Sequence, residues 1–142
     1  MKIITKVSNE VLEIINKEGI CYAKNDTSFS DYAYNYLKEI TSYKGLFFGM
    51  LENDYMKESE GRIEEIISLS SMKNEITLTL EIPTSEYFAH DYYSFTDLAY
   101  FSDEGEWETV ELIKSEFEKP QLKEEVQCVY NRIEKDWIKE VN

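Results

Sequence analysis

The sequence predicts an α+β domain, a small and mostly antiparallel sheet packed by about four helices. Three observations carry this. In Glu75–Ile82 the apolar Ile76, Leu78, Leu80 and Ile82 alternate with Thr77, Thr79 and Glu81. That alternation marks a strand with one wet face, as antiparallel sheets have. Apolar residues at helical spacing recur on both sides of it. Glycine and proline are scarce, 5 and 2 among 142 residues, so the elements are long and tight turns few. The length predicts one domain, residues 1–142, able to bury roughly 70% of its unfolded surface. A hydrophobic content of 42% and an aromatic content of 14% exclude wholesale disorder.

Lys2–Val7 reads as the first strand. Ser8 caps the helix that follows, and Glu10 suits the positive end of its dipole. Val11, Ile14 and Ile15 share one face, and Gly19 stands where a left-handed residue ends a helix. Ile20–Ala23 is a short extended segment. Asn25–Ser28 is a loop, and Ser30 with Asp31 opens a second helix. Its stripe is Ala33, Tyr36, Leu37 and Ile40, with Tyr32, Tyr34 and Tyr43 off or at the edge of it. The apolar run Gly45–Leu51 is too short for a helix and reads as a buried strand. Glu52–Ser59 is polar and acidic, a loop or a frayed turn. Arg62–Leu69 leans to helix on Ile63, Ile66 and Ile67. After the Glu75–Ile82 strand, Asp91–Phe101 forms a short helix, and Gly105 punctuates. Trp107, Val110, Ile113 and Phe117 then support another helix up to Lys119 and Pro120. Finally, Leu122, Val126, Val129, Tyr130, Ile133, Trp137 and Val141 follow a helical period. Pro120 precedes them, as at a helix start, so a long C-terminal helix is predicted.

The net charge is −14, and residues 74–113 contribute 10 Asp or Glu and no Lys or Arg. Like-charge repulsion argues against direct nucleic-acid or anionic-membrane binding. A basic protein surface, such as the nucleic-acid-binding face of a nuclease, would be attracted. The plain alternative is charge kept for solubility. No apolar run approaches the ~20 residues of a spanning helix. Met1–Thr5 is followed by charges and not by the apolar core of a leader, so a cytoplasmic protein is expected.

Catalytic chemistry finds little footing. His90 is the single histidine; beside Asp91 it would be a carboxylate-held base, but a packing or surface role suits it better. Cys21 and Cys128 lie far apart; they form a disulfide or, in a reducing compartment, two buried thiols. One histidine, two distant cysteines and carboxylates without EF-hand spacing make no metal set. Gly45 and Gly49 sit in an apolar run and form no phosphate loop. No catalytic, cofactor or metal residue is singled out. The expected partner-binding residues are Glu86, Asp91, Tyr93, Asp97, Tyr100, Asp103, Glu104, Glu106 and Glu108, acids beside aromatics suited to interfaces. The competing reading puts Phe88, Tyr92, Phe95 and Leu98 in the core and makes the acids a solvated rim.

Two resemblances add expectations. The strand ending at Thr5, the helix after it and Gly19-Ile20 are similar in arrangement to the start of ADP-ribosyltransferase-like folds. That similarity implies a nucleotide pocket near Thr5, Tyr22 and Tyr36 and a small enzyme as the alternative function. Thr5 and Lys6 stand where that family has His or Arg. Separately, Leu80-x-Ile82-Pro83, His90-Asp91-Tyr92 and Val126-Gln127 with Ile133 and Trp137-Ile138 resemble the bacterial and phage family called domain of unknown function 3841. His90 replaces its Ser, Ser94-Phe95 its Trp-His, and Leu46-Phe47-Phe48 its central Tyr-Pro-Ile-Trp. The family implies an organisation and no activity. The function expected is therefore an acidic, non-enzymatic binding protein, of phage or mobile-element type, that inhibits by covering a basic host surface.

Overall fold

β1 (Lys2–Val7) runs through the middle of the sheet, with Ile3, Ile4, Thr5 and Val7 buried. This computed structural model describes residues 1–25, 32–59, 61–63, 65–66 and 76–142. On one side β1 pairs with β3 (Phe47–Leu51), which pairs with β6 (Val126–Tyr130), which pairs with the edge strand β5 (Phe88–Asp91). On the other side it pairs with β4 (Ile76–Glu81), and β4 with β8 (Ile138–Val141). Every pairing is antiparallel. A separate ribbon joins β2 (Ile20–Tyr22) to β7 (Arg132–Glu134). The α+β class and the antiparallel sheet are as the sequence predicts.

Helices cover both faces. α1 (Asn9–Glu18) is capped by Ser8, whose side chain accepts from Val11 N, and ends at Gly19 with φ 81°. Its Ile15 joins Ile3, Val7, Leu78, Leu80 and, from β6, Val126, Cys128 and Tyr130. The opposite side of β6 presents Val129 to α2 (Tyr32–Thr41), α4 (Tyr92–Asp103) and α5 (Trp107–Glu118). A smaller cluster of Ile4, Met50, Met56 and Ile66 lies under α3 (Asp54–Glu58).

The predicted C-terminal helix does not exist. Residues Leu122–Val141 hold β6, β7, a 3-10 turn at Lys135–Trp137 and β8. The reason is double coverage. All five residues of β6 are buried, so it lacks the wet-face alternation that marks a strand. The Val, Tyr, Ile and Trp that mimic a helical stripe also favour strands. The stripe's ends, Leu122 and Val141, are 46% and 51% exposed.

Smaller differences follow the same logic. Asp54–Glu58 is helical where a loop or frayed turn is expected, because Asn53 accepts from Met56 N at 2.9 Å and Met56 is buried. In α2 the buried face is Ala33, Tyr34 and Leu37; Tyr34 is 1% exposed and Ile40 is 40% exposed. Phe88–Asp91 is a strand inside the aromatic and acidic run. Arg62, Ile63, Glu65 and Ile66 are helical, and the rest of Ile67–Leu69 lies outside the described residues. So do the loop beyond Asn25 and the Ser30–Asp31 start of α2.

Candidate functional site

The predicted binding segment divides at Tyr93. Before that point its polar groups are engaged inside the fold. Glu86 is half-buried and pairs with Arg132 Nη1 at 3.1 Å. Asp91 caps α4, its Oδ1 accepting from Tyr93 N at 3.0 Å. The Tyr93 hydroxyl accepts from Arg62 Nη2 at 3.0 Å. The same guanidinium donates to both oxygens of Glu125, at 2.7 and 3.2 Å. The Glu125 side chain is only 3% exposed. Burial pushes its carboxyl up, but hydrogen bonds from Arg62 and Tyr93 outweigh this and hold it below the ordinary carboxylate range. Backbone bonds lock the same corner: Tyr92 N donates to Glu125 O at 2.9 Å, and Asn53 Nδ2 to Glu124 O at 2.8 Å.

His90 lies behind this corner, wholly buried against Phe88, Phe95 and Phe117. Its Nε2 is 2.7 Å from Gln127 Oε1, so the proton sits on Nε2. Desolvation lowers its pKa to about 4, so the ring is neutral near pH 7. A ring sealed from solvent cannot meet a substrate, and His90 is a packing residue. Cys21 and Cys128 are free and buried, and burial pushes the Cys128 thiol up to about 12. Neither has the thiolate character of a nucleophile.

Beyond Tyr93 the segment turns outward. α4 and α5 form a hairpin around Gly105, whose φ of 73° lets the chain reverse between Glu104 and Glu106. Leu98, Val110, Ile113 and Phe117 face inward. Asp97, Asp103, Glu104, Glu106 and Glu108 are exposed, as is Tyr100 at 60%. Partial burial, then the carboxylates of Glu116 and Asp91, push the Asp97 carboxyl up. Tyr92–Glu118 carries eight carboxylates and one lysine. That lysine, Lys114, pairs with Glu111 at 3.2 Å and lies over the rings of Tyr32 and Tyr36.

Two apolar residues join this surface. Trp107, expected in the core stripe, is 53% exposed and meets the edge of Tyr32. Leu112 is 72% exposed. Its sequence signal is its place off the Val110, Ile113 and Phe117 stripe. The residues three and four positions away, Glu108, Thr109, Ser115 and Glu116, are its neighbours on the helix surface.

The pocket implied by the N-terminal arrangement is not assembled from its expected residues. Thr5 is buried and its hydroxyl donates to Phe48 O at 2.5 Å. Tyr36 packs edge-on against Phe117. Tyr22 does line a cleft, of about 450 Å³, with Ser8, Val11, Cys21, Lys24 and Phe47. Among the described residues, no group of three or more His, Cys, Asp or Glu is placed to hold a metal. No helix among them is long and apolar enough to cross a membrane. Comparison with known proteins found no matching family model, curated protein or solved structure.

Proposed function

We propose that this chain is a non-enzymatic binding protein whose acidic hairpin occupies a basic surface of another protein. A nucleic-acid-binding face, such as that of a host nuclease, has the required charge. The observation that carries this reading is the α4–α5 hairpin: eight carboxylates and one engaged lysine, with Trp107 and Leu112 held out in solvent among them. The carboxylates would steer the approach, and the apolar side chains would supply contact that outlasts it. Direct nucleic-acid binding is disfavoured by the same charge. A cytoplasmic setting, a phage or mobile-element origin and the likeness to the bacterial and phage family belong to this proposal.

The test is paired capture from a bacterial extract. One bait is the native chain and the other carries Asp103→Lys and Glu104→Lys. The reading expects a basic protein that binds the native bait, elutes with salt and is missing from the reversed bait. Identical captures on both baits would remove the hairpin from the account.

A further inference from the structure

Two clefts meet at Tyr22 and Ala23, where β2 ends. The first, of about 450 Å³, includes Lys24 and the apolar Val11 and Phe47. The second, of about 430 Å³, includes Tyr43, Lys44 and Asn131. Both volumes fall within the roughly 300–1,000 Å³ of small-molecule sites.

Their charge runs against the rest of the molecule. The chain has 29 acids and 15 bases, yet the described lining of the two clefts holds Lys24 and Lys44 against one carboxylate, Glu10. Neither lysine has an ion-pair partner among the described residues. In so acidic a chain, two lysines at adjoining clefts, unpaired among the described residues, form a local attraction for anions. Between them stands Tyr22, 63% exposed, a large ring kept in solvent.

The frame around Tyr22 is stiff. A Cβ on Gly45 would meet the Ala23 and Lys24 carbonyl oxygens at 2.5 and 2.6 Å. Only glycine lets the backbone before β3 abut the backbone after β2, and this contact brings the two clefts together. Ala23 N donates to Asn131 O at 2.8 Å, which ties the junction to the ribbon. Tyr43 N donates to Thr41 Oγ1 at 3.3 Å on the other wall.

We propose that the paired clefts bind a small aromatic anion, a planar ring bearing a phosphate or carboxylate. The ring stacks on Tyr22, and Lys24 and Lys44 attract the anion. This site uses different residues and the opposite charge from the hairpin, so the two proposals stand or fall separately.

The test is an amide NMR titration of the whole chain with adenosine monophosphate, adenosine and inorganic phosphate. The monophosphate should shift the amides of Tyr22, Ala23, Lys24 and Lys44 and bind with a Kd of about 1 mM or tighter. It should bind more tightly than adenosine or phosphate alone. Tyr22→Ala should weaken it about tenfold, within the range for losing one stacking partner. The double variant Lys24→Ala with Lys44→Ala should weaken it about as much and flatten its salt dependence. All three positions are exposed, and an unchanged melting temperature would confirm folding. No shift at about ten times that Kd, shifts confined to other surfaces, or binding unchanged in these variants would overturn the proposal. Adenosine binding as tightly as the monophosphate would remove the lysines from it, and phosphate doing so would remove Tyr22.

Discussion

Glu86, Asp91 and Tyr93 belong to the same acidic, aromatic run as Asp97, Asp103 and Glu104, yet the two groups do opposite work. The first group faces Arg132, the start of α4 and the Arg62–Glu125 pair. The second group faces solvent along the hairpin. Composition does not separate them. What separates them is β5, which carries residues 88–91 into the sheet beside β6 and so brings neighbouring side chains to partners within the fold. An acidic run marks a binding surface only after the carboxylates that hold the fold are taken out of it.

The sharpest way to break this contrast is at Glu125. Removing its carboxylate strips Arg62 of its buried partner and leaves it the exposed Glu65, at 3.1 Å, and the Tyr93 hydroxyl. Glu125→Ala should cost about 3 kcal/mol, the low end for a buried pair losing one partner, because Arg62 is partly exposed and keeps Glu65. A urea melt measures it, and a loss below about 1 kcal/mol, the range of exposed pairs, would place this corner with the hairpin.

The next effect comes from His90. Burial lowers its pKa to about 4 in the fold, against 6.5 for an ordinary histidine. Between those values the unfolded chain binds a proton that the folded chain does not. Its contribution is therefore intact above pH 6.5 and lost as pH falls towards 4. The whole shift corresponds to about 3 kcal/mol. Replacing it by His90→Gln should flatten the stability profile across that window, read from melts at a series of pH values. A profile with the same slope in the variant would assign the acid sensitivity to carboxylates such as Glu125, whose lowered pKa has the same sign.

Asp91→Ala should cost about 1 kcal/mol, the usual loss of a helix cap. Thermal melts would show it, and no change would leave Asp91 with the solvent-facing acids.

Much of the architecture was legible in the sequence, and its failures have a common cause. Ser8, Gly19 and the Glu75–Ile82 strand are local signals that the structure bears out, but the wet face implied by the alternation is covered, with Thr79 only 5% exposed. β6 could not be read locally, because its burial on both faces comes from tertiary packing, with Ile15 of α1 on one side and α2, α4 and α5 on the other. Trp137 is buried, as a core residue should be, but on a 3-10 turn and not on a helix. Of the candidate surface, the outward acids were legible from charge. Arg62 and Glu125 were not, because they are 63 residues apart and only the fold joins them. Lys24 and Lys44 carry no local signal, since a cleft made by two backbones meeting at Gly45 leaves no motif.

On the proposed function, the hairpin is the docking surface and the Glu86–Tyr93 corner is scaffold. The most direct measurement is the association rate of a captured basic partner with the native chain and with the Asp103→Lys, Glu104→Lys variant. It would be followed from about 0.1 M to 1 M salt, over which the Debye length shrinks from ~10 Å to ~3 Å. The account predicts a native on-rate that falls steeply with salt and a variant on-rate already low at 0.1 M. It also predicts a stability change of no more than about 0.5 kcal/mol, as for exposed substitutions. An on-rate indifferent to both salt and charge reversal would contradict it and leave the acidic hairpin as a solubility feature.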